Sequence, residues 1–458
     1  MTTQNGLLRY HVEDKLSFWQ YLIYGLENLL VMDSVFATPV VLGTAFHLPF
    51  LTFVYLIQIT LIGAGITTIL QSQTLLKLPV AQGIAASMVG VAISLATFGV
   101  NLTTIILGVI ISTFSVGVLL IPFIPSNKNG IKMRKSIIEY LVILVNQPQV
   151  YGSLITILGV VLINASLGLI NEGRYTLMSN IGMLITVISI ITLIAVFNKG
   201  ILRYASILIG FFIGIIYSFI TGMFDFAKVV SYPWFATPTF FLQAGYGPIS
   251  MVGVELVIIP AFIVTFILMG EAIGAYYTVA GLDNVKLDEK RVRKGLTGEW
   301  VGTIISLLLG GLTTSTYAQN IGSIQITKIG ARRVFTVTGI LLIVFGLIPK
   351  IGAFILSIPP AILGGTFFII YTILLITGLR IISNMEWTEN NMLIVGLAIA
   401  LGLGISLVPA TAFSSIPPYF RSALISSVVL TASTAIILNL IINLVPKWIK
   451  ESRRKKIA

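Results

Sequence analysis

The stretch Gly311-Leu-Thr-Thr-Ser-Thr-Tyr-Ala-Gln-Asn-Ile-Gly-Ser-Ile-Gln-Ile-Thr-Lys328 sets hydroxyls, an amide pair and two glycines inside a region otherwise built of long apolar runs. At membrane depth, polar side chains and irregular backbone are tolerated where protein buries them or where they line a cavity. If the surrounding chain spans a bilayer, this stretch is the leading candidate for a substrate site.

Composition says that it does. Of the 458 residues, 56% are hydrophobic and 10% charged, with a mean hydropathy of +1.01, whereas soluble domains carry about 25% charge. The chain reads as a polytopic membrane protein embedded in the lipid bilayer. No signal-peptide pattern precedes the first apolar run, which is expected to remain as a transmembrane helix. There is no cysteine, which removes disulfides, thiolate chemistry and cysteine-bound metals. His11 and His47 lie far apart without local ligand partners. A metal site, a cofactor and an enzymatic activity are therefore not expected.

Apolar segments fall near 18–44, 50–71, 75–97, 102–122, 138–168, 178–197, 201–221, 255–281, 298–312, 318–329, 334–354, 358–380, 389–408 and 422–445. With the first terminus in the cytoplasm and sides alternating, 24 of the 28 Lys and Arg residues fall on the cytoplasmic side. That bias is the positive-inside pattern, and it places both termini in the cytoplasm. It also accounts for the net charge of +12 without a nucleic-acid partner.

Two segments are too polar or too short for plain helices. The third opens with Leu76-Lys-Leu-Pro-Val-Ala-Gln-Gly-Ile-Ala-Ala-Ser-Met88, and the tenth with Thr313 to Gln319 before a half-length helix starting near Asn320. They are the third members of two sets of seven. Because seven is odd, the second set runs with opposite orientation. Interrupted segments at corresponding positions of two halves point to an inverted-repeat transporter with its site at the repeat interface; a bundle with two kinked helices is the plainer alternative. Pro148 is expected to break the long fifth segment. Loop 222–250, with Trp234, Phe235, Phe240, Phe241 and Tyr246, suits either an interfacial cover or a lipid anchor. The loop 283–295 reads as a charged cytoplasmic connector.

Glu271, in Leu268-Met-Gly-Glu-Ala-Ile-Gly-Ala-Tyr276, is the acid most deeply embedded in an apolar segment. Such acids normally face the interior and mark substrate or proton routes, although a structural hydrogen bond would also explain one. Glu299 follows Gly298 at the expected start of the ninth segment, where capping by the helix dipole competes with a transport role. Glu27 and Asn28 add polarity to the first helix. Gln319 and Asn320 are both donors and acceptors, suited to a neutral planar solute or, more simply, to a helix cap.

At these residues the chain resembles the nucleobase–ascorbate transporter family, also called nucleobase:cation symporter 2, which includes xanthine, uric acid and uracil permeases. The signature, Gln or Glu, then Asn, any residue, Gly, four variable residues and Thr, reads here Gln319-Asn-Ile-Gly322-Ser-Ile-Gln-Ile-Thr327. Leu78-Pro79-Val-Ala-Gln-Gly83, Gly270-Glu271-Ala-Ile-Gly274, Gly298-Glu299 and Pro360-Ala-Ile-Leu-Gly-Gly365 add to the likeness.

The resemblance implies an all-α polytopic membrane protein with fourteen transmembrane segments in two inverted seven-segment repeats, and short extended strands in segments 3 and 10. A core domain would comprise residues 1–136 and 223–356, and a gate domain 137–222 and 357–458, through which family members often dimerise. Glu271 would bind an N–H edge of the base and Gln319 the opposite edge, with Asn320 securing the geometry. Ala86, Ser87, Tyr317 and Ala318 would contact or stack over it, and Glu299 would share proton coupling with Glu271. Uracil carriers usually have Glu at the first signature position and His four residues after the substrate-binding Glu; here those positions are Gln319 and Ala275. The expectation is a secondary transporter in the cell membrane importing a nucleobase, preferably a purine dioxo-base such as xanthine or uric acid, with a proton. A uracil permease, or an anion transporter or exchanger of the same fold, is the alternative.

Overall fold

The structure, a computed structural model, describes residues 8–32, 34–121, 124–128, 131–135, 147–171, 176–198, 206–317, 319–413 and 415–446. Eight helical stretches among the described residues are long and apolar enough to cross a membrane, and a ninth is formed if the helix pair bent by 77° counts as one. The protein is an α-helical, multi-pass membrane protein.

The first expected segment is two helices, α1 (Phe18–Val31) and α2 (Ser34–Ala45), interrupted where Met32 leaves the helical conformation. A Ser17–Gln20 capping box starts α1. Next comes α3 (Phe50–Ile69), which widens into a single π-helical turn at Leu70–Thr74. The third segment opens on a strand, β1 (Gln82–Ile84), followed by α4 (Ala86–Ala96). After α5 (Leu102–Leu119) the basic loop is a hairpin of β2 (Ile124–Lys128) and β3 (Ile131–Lys135).

Pro148 occupies the first turn of α6 (Pro148–Gly168), where its missing N–H costs nothing. Then follow α7 (Leu177–Phe197) and α8 (Ser206–Ile220). Loop 222–250 holds the short α9 (Phe226–Val230). It divides its aromatics: Trp234 and Phe235 are exposed, whereas Phe241 and Tyr246 are buried and the Tyr246 hydroxyl donates to the Gly310 carbonyl.

The second half continues with α10 (Met251–Leu282) and α11 (Glu289–Leu308). Here the sequence expectation needs correction. The ninth segment begins not at Gly298 but at Glu289, capped by the Asp288 side chain, so half of the supposed connector 283–295 is helix. Charges in the first two turns hide a helix from a hydropathy reading. The tenth segment is β4 (Thr314–Thr316) and α12 (Gln319–Thr327), and the eleventh is α13 (Arg332–Gly346) bent into α14 (Pro349–Ser357). Last come α15 (Pro360–Ser383), α16 (Glu389–Ile405), α17 (Pro418–Ile425) and α18 (Ser427–Asn439).

β1 and β4 pair antiparallel, with Gln82 opposite Thr316, Gly83 opposite Ser315 and Ile84 opposite Thr314. The pairing extends through Ala85 N–H to the Thr313 carbonyl and Tyr317 N–H to the Ala81 carbonyl, each 2.9 Å. Pairing inside the protein is how strands at this depth satisfy their polar backbone. Around this ribbon, α3 packs on α13, α11, α2 and α14, and α5 packs on α10. A second group forms where α6 packs along α15, joined by α7, α16 and α18. The α12–α13 end is tied to the N-terminal residues: Tyr10 bridges Ile329, and Arg332 pairs with Glu13.

Candidate functional site

The crossing strands are fastened by Glu299. Lying ten residues into α11, it is 3% exposed, and one oxygen, Oε1, accepts every hydrogen bond recorded for the carboxylate. The donors are Thr316 Oγ1, Tyr276 Oη at 2.8 Å, Gln82 Nε2 at 3.0 Å and Gln71 Nε2 at 3.2 Å. Gln82 Nε2 also donates to Thr316 Oγ1 at 2.9 Å, closing a ring across the two strands. The dipole-cap reading of Glu299 fails, because the residue is interior to its helix. It holds the strand pair instead.

Local sequence explains the geometry. Gln71 sits in the π turn after α3, and such turns often mark functional positions because the extra residue re-aims side chains. Gly298 leaves it room: a Cβ there would lie 2.7 Å from Gln71 Oε1. Tyr276, fully buried on α10, accepts from Gln71 Nε2 while donating to Glu299. Sequence reading missed Gln71, Tyr276 and Thr316. A glutamine and a tyrosine inside apolar runs were visible signals, but which carboxylate they serve is a matter of tertiary packing.

The half-helices α4 and α12 start at opposite ends of the ribbon. Their first N–H groups have no acceptor within their own helices and carry the positive end of the helix dipole. Ala86 is half-buried and Ser87 buried at the start of α4. At the start of α12, Asn320 is 1% exposed, and among the described residues neither its Oδ1 nor its Nδ2 has a hydrogen-bond partner. A buried amide with both atoms unmet costs roughly 1–3 kcal/mol per group, which a ligand or water would recover. Tyr317 is buried beside Gly83, where an added Cβ would meet the Tyr317 ring at 2.6 Å and Ser34 Oγ at 2.9 Å. Ala318 and the side chain of Gln319 lie outside the described residues.

Glu271 is half-buried midway along α10, which packs against β4, α4 and α12. The hydroxyl of Tyr151, on α6, faces its carboxyl. This tyrosine comes from the second helix group, and nothing in the sequence linked it to Glu271. Glu271, Asn320, Ser87 and Tyr317 thus lie on elements that pack around or continue the ribbon, and Glu299 bonds the ribbon's own side chains Gln82 and Thr316. In α1, Glu27 is half-buried, and Asn28 is buried with Nδ2 donating to the Tyr24 carbonyl and Oδ1 without a partner among the described residues.

Among the described residues no group of three or more His, Asp or Glu side chains is arranged to hold a metal. The chain is similar to the xanthine permease of Bacillus subtilis, with 27% identity over 458 aligned positions covering 96% of this chain and 98% of that one. The uric acid permease PucK of the same organism is 28% identical, over 92% of this chain and 95% of its own. In three dimensions the protein is similar to the transmembrane domain of a cyanobacterium bicarbonate transporter, BicA, with a TM-score of 0.52 and 15% identity over 93% of this chain and 99% of that one, a likeness of fold alone. Residues 19–411 match the model of a permease family, the xanthine and uracil permeases. The chain belongs to that family, nucleobase:cation symporter 2, and is a permease rather than an enzyme.

Proposed function

We propose that this permease imports a nucleobase, preferably a purine dioxo-base such as xanthine or uric acid, by proton symport through alternating access. The carrying observation is the buried, unpartnered Asn320 amide at the start of α12, next to paired strands and across from Glu271-bearing α10. A planar base with alternating carbonyl and N–H edges complements these groups: Glu271 accepts from an N–H edge, while Asn320 and Gln319 serve the remaining edges. Ser87 and Tyr317 supply backbone and ring contacts. Similarity to a xanthine and a uric acid permease over nearly the full chain supports the purine preference, as does Gln at position 319.

In this reading the chain crosses the membrane fourteen times as two inverted repeats with both termini cytoplasmic. The helices around the ribbon form the core domain, and the α6–α8 and α15–α18 helices form the gate. The packing of α6 along α15, and the clustering of Arg9, Lys77, Arg291 and Arg332 at one end with Lys228 and Lys350 at the other, support this arrangement. Inward movement with a cation uses the membrane potential, about 2.3 kcal/mol per charge per 100 mV.

The test is uptake of radiolabelled xanthine, uric acid and uracil into proteoliposomes under an imposed pH gradient, with Glu271→Gln as comparison. Accumulation of a purine dioxo-base that collapses in the variant is expected. Failure of all three bases to accumulate would overturn the reading, and uracil alone would overturn the purine preference.

A further inference from the structure

Tyr151 stands where the two helix groups meet. Its helix, α6, belongs to the group built with α15, α16 and α18, yet it also packs on α2 and α4 of the group around the ribbon. Apolar neighbours come close at this boundary: a Cβ at Gly90 of α4 would lie 2.9 Å from Val428 of α18 and 3.5 Å from Leu158 of α6. Across it the Tyr151 hydroxyl donates to the carboxylate of Glu271 on α10. One helix group therefore supplies a hydrogen bond to the acid of the other.

Buried amides aim this tyrosine. Gln149, 5% exposed, donates from Nε2 to Asn439 Oδ1 at 2.8 Å, and Asn443 Nδ2 donates to the same oxygen at 3.0 Å and to Asn391 Oδ1 at 2.8 Å. These amides tie the first turn of α6 to the end of α18, to the π-helical turn Leu440–Leu444 that follows it, and to α16. At about 100° per residue, position 151 points away from position 149, so anchoring Gln149 within its own group turns Tyr151 toward the other. Gly152 lets the same turn seat on α15, since a Cβ there would lie 3.0 Å from the Ile382 nitrogen and 3.1 Å from the Gly378 carbonyl oxygen. The hydroxyl is thus presented from a fixed turn.

A carboxylate taken out of water without a donor is costly. When a base lies on Glu271, its N–H edge meets that need. When the helix groups close with no base between them, the protein itself has to meet it, and Tyr151 is placed to do so. A symporter that delivers its base must return without it, so such a donor governs how readily the unloaded protein completes the cycle. We propose that Tyr151 is the stand-in for the base, its hydroxyl satisfying Glu271 while the unloaded protein reorients. The inference rests on the nucleobase reading, which assigns Glu271 to the base and makes the unloaded return necessary.

The experiment compares two transport modes of the full-length protein in proteoliposomes. Exchange, with xanthine on both sides, needs no unloaded reorientation; net uptake into vesicles free of xanthine does. In Tyr151→Phe, exchange and xanthine binding, the latter read by thermal stabilisation, are expected to stay within about threefold of the wild type, while net uptake falls about tenfold or more, as loss of one hydrogen bond to a charged group implies. Equal change in the two modes, or a larger loss of exchange, overturns the proposal. So does xanthine binding weakened about tenfold, which would make Tyr151 a direct contact of the base. If Tyr151→Phe does not fold, 3,5-difluorotyrosine at position 151 keeps the hydroxyl and makes it a stronger donor; a changed ratio of net uptake to exchange supports the proposal, and an unchanged ratio overturns it. If the wild type neither binds nor exchanges xanthine, uric acid or uracil, the nucleobase reading fails by itself. The Tyr151–Glu271 pairing is then judged by a double-mutant cycle of melting temperature with Tyr151→Phe and Glu271→Leu, where non-additive effects support it and additive ones overturn it.

Discussion

Gln82 and Thr316 are cross-strand partners in the β1–β4 ribbon, and both donate to the same oxygen of Glu299. One buried carboxylate thus fixes the register of the two chain segments whose half-helices frame the candidate site. The register matters because a one-residue slip in a two-stranded ribbon would turn Gln82 and Thr316 to the opposite face.

Removing that carboxylate separates structural from electrical roles. Glu299→Ala leaves the hydroxyls of Tyr276 and Thr316 and one N–H of Gln82 buried without their acceptor, at about 1–3 kcal/mol for each group unmet. A large fall in melting temperature is expected, with loss of nucleobase binding. Glu299→Gln keeps an acceptor oxygen but loses the charge, so nucleobase-induced stabilisation should persist while gradient-driven accumulation disappears. Thermal scans with and without xanthine, beside vesicle uptake, check both. Accumulation at the wild-type level in Glu299→Gln would remove the residue from coupling.

Asn320 yields a prediction of unusual sign. Its amide is buried and unpartnered among the described residues, so replacing it by the similarly sized Leu costs no hydrogen bond there. Asn320→Leu is expected to match or exceed the unliganded wild type in melting temperature, because removing an unsatisfied buried polar group is neutral or stabilising. The stabilisation by xanthine should vanish. A marked drop in unliganded stability would instead show that the amide has a structural partner.

Gly83 tests the closeness of β1 to Tyr317. The methyl of Gly83→Ala would fall 2.6 Å from Tyr317 Cδ2 and 2.9 Å from Ser34 Oγ, so the ring must move. Overpacking of this kind costs about 1–3 kcal/mol, and a ring displaced from the site should weaken base binding by about tenfold. A competition assay for xanthine uptake across Gly83→Ala and Gly83→Ser checks it; unchanged inhibition constants would place Tyr317 away from the base.

How much of this was legible beforehand follows from what hydropathy can see. The interrupted third and tenth segments announced themselves, because Pro79, Gln82, Gly83 and the run Thr313–Thr316 break apolar periodicity. Their pairing with each other did not, since it joins residues more than two hundred positions apart. The start of α11 was misplaced for the opposite reason: Lys290, Arg291, Arg293 and Lys294 make a true helix look like a loop. Glu271 and Glu299 were both visible as acids in apolar surroundings, yet their surroundings differ by tertiary contacts alone. Glu299 gains four donors from four elements and Glu271 faces Tyr151. No local spacing encodes that difference.

The N-terminal strap gives a pH prediction on groups outside the spanning helices. His11 Nδ1 lies against Asp283 Oδ1, the backbone N–H of Val12 donates to Asp283 Oδ2 at 2.9 Å, and Glu13 pairs with Arg332 at 2.9 Å. The hydrogen bond to Asp283, helped by the charges of Asp283 and Asp14, raises the His11 pKa above its ordinary 6.5 despite some desolvation. The Arg332 guanidinium, with weaker help from Arg333 and Arg291, holds Glu13 below its ordinary 4.5. A raised histidine stabilises fully below 6.5 and loses that contribution as pH rises through its folded value, whereas a lowered glutamate stabilises above 4.5 and loses its contribution as pH falls through its folded value. Both contacts are therefore intact between 4.5 and 6.5, and alkalinity releases the His11 side first. Amide exchange of residues 8–14, corrected for the intrinsic rate at each pH, should show protection falling as pH rises above 6.5. In His11→Gln, which can still donate to Asp283 but cannot titrate, the fall should be absent while the loss of protection at acidic pH, governed by Glu13 and Arg332, remains. The same alkaline loss in His11→Gln would assign the effect to a group other than His11.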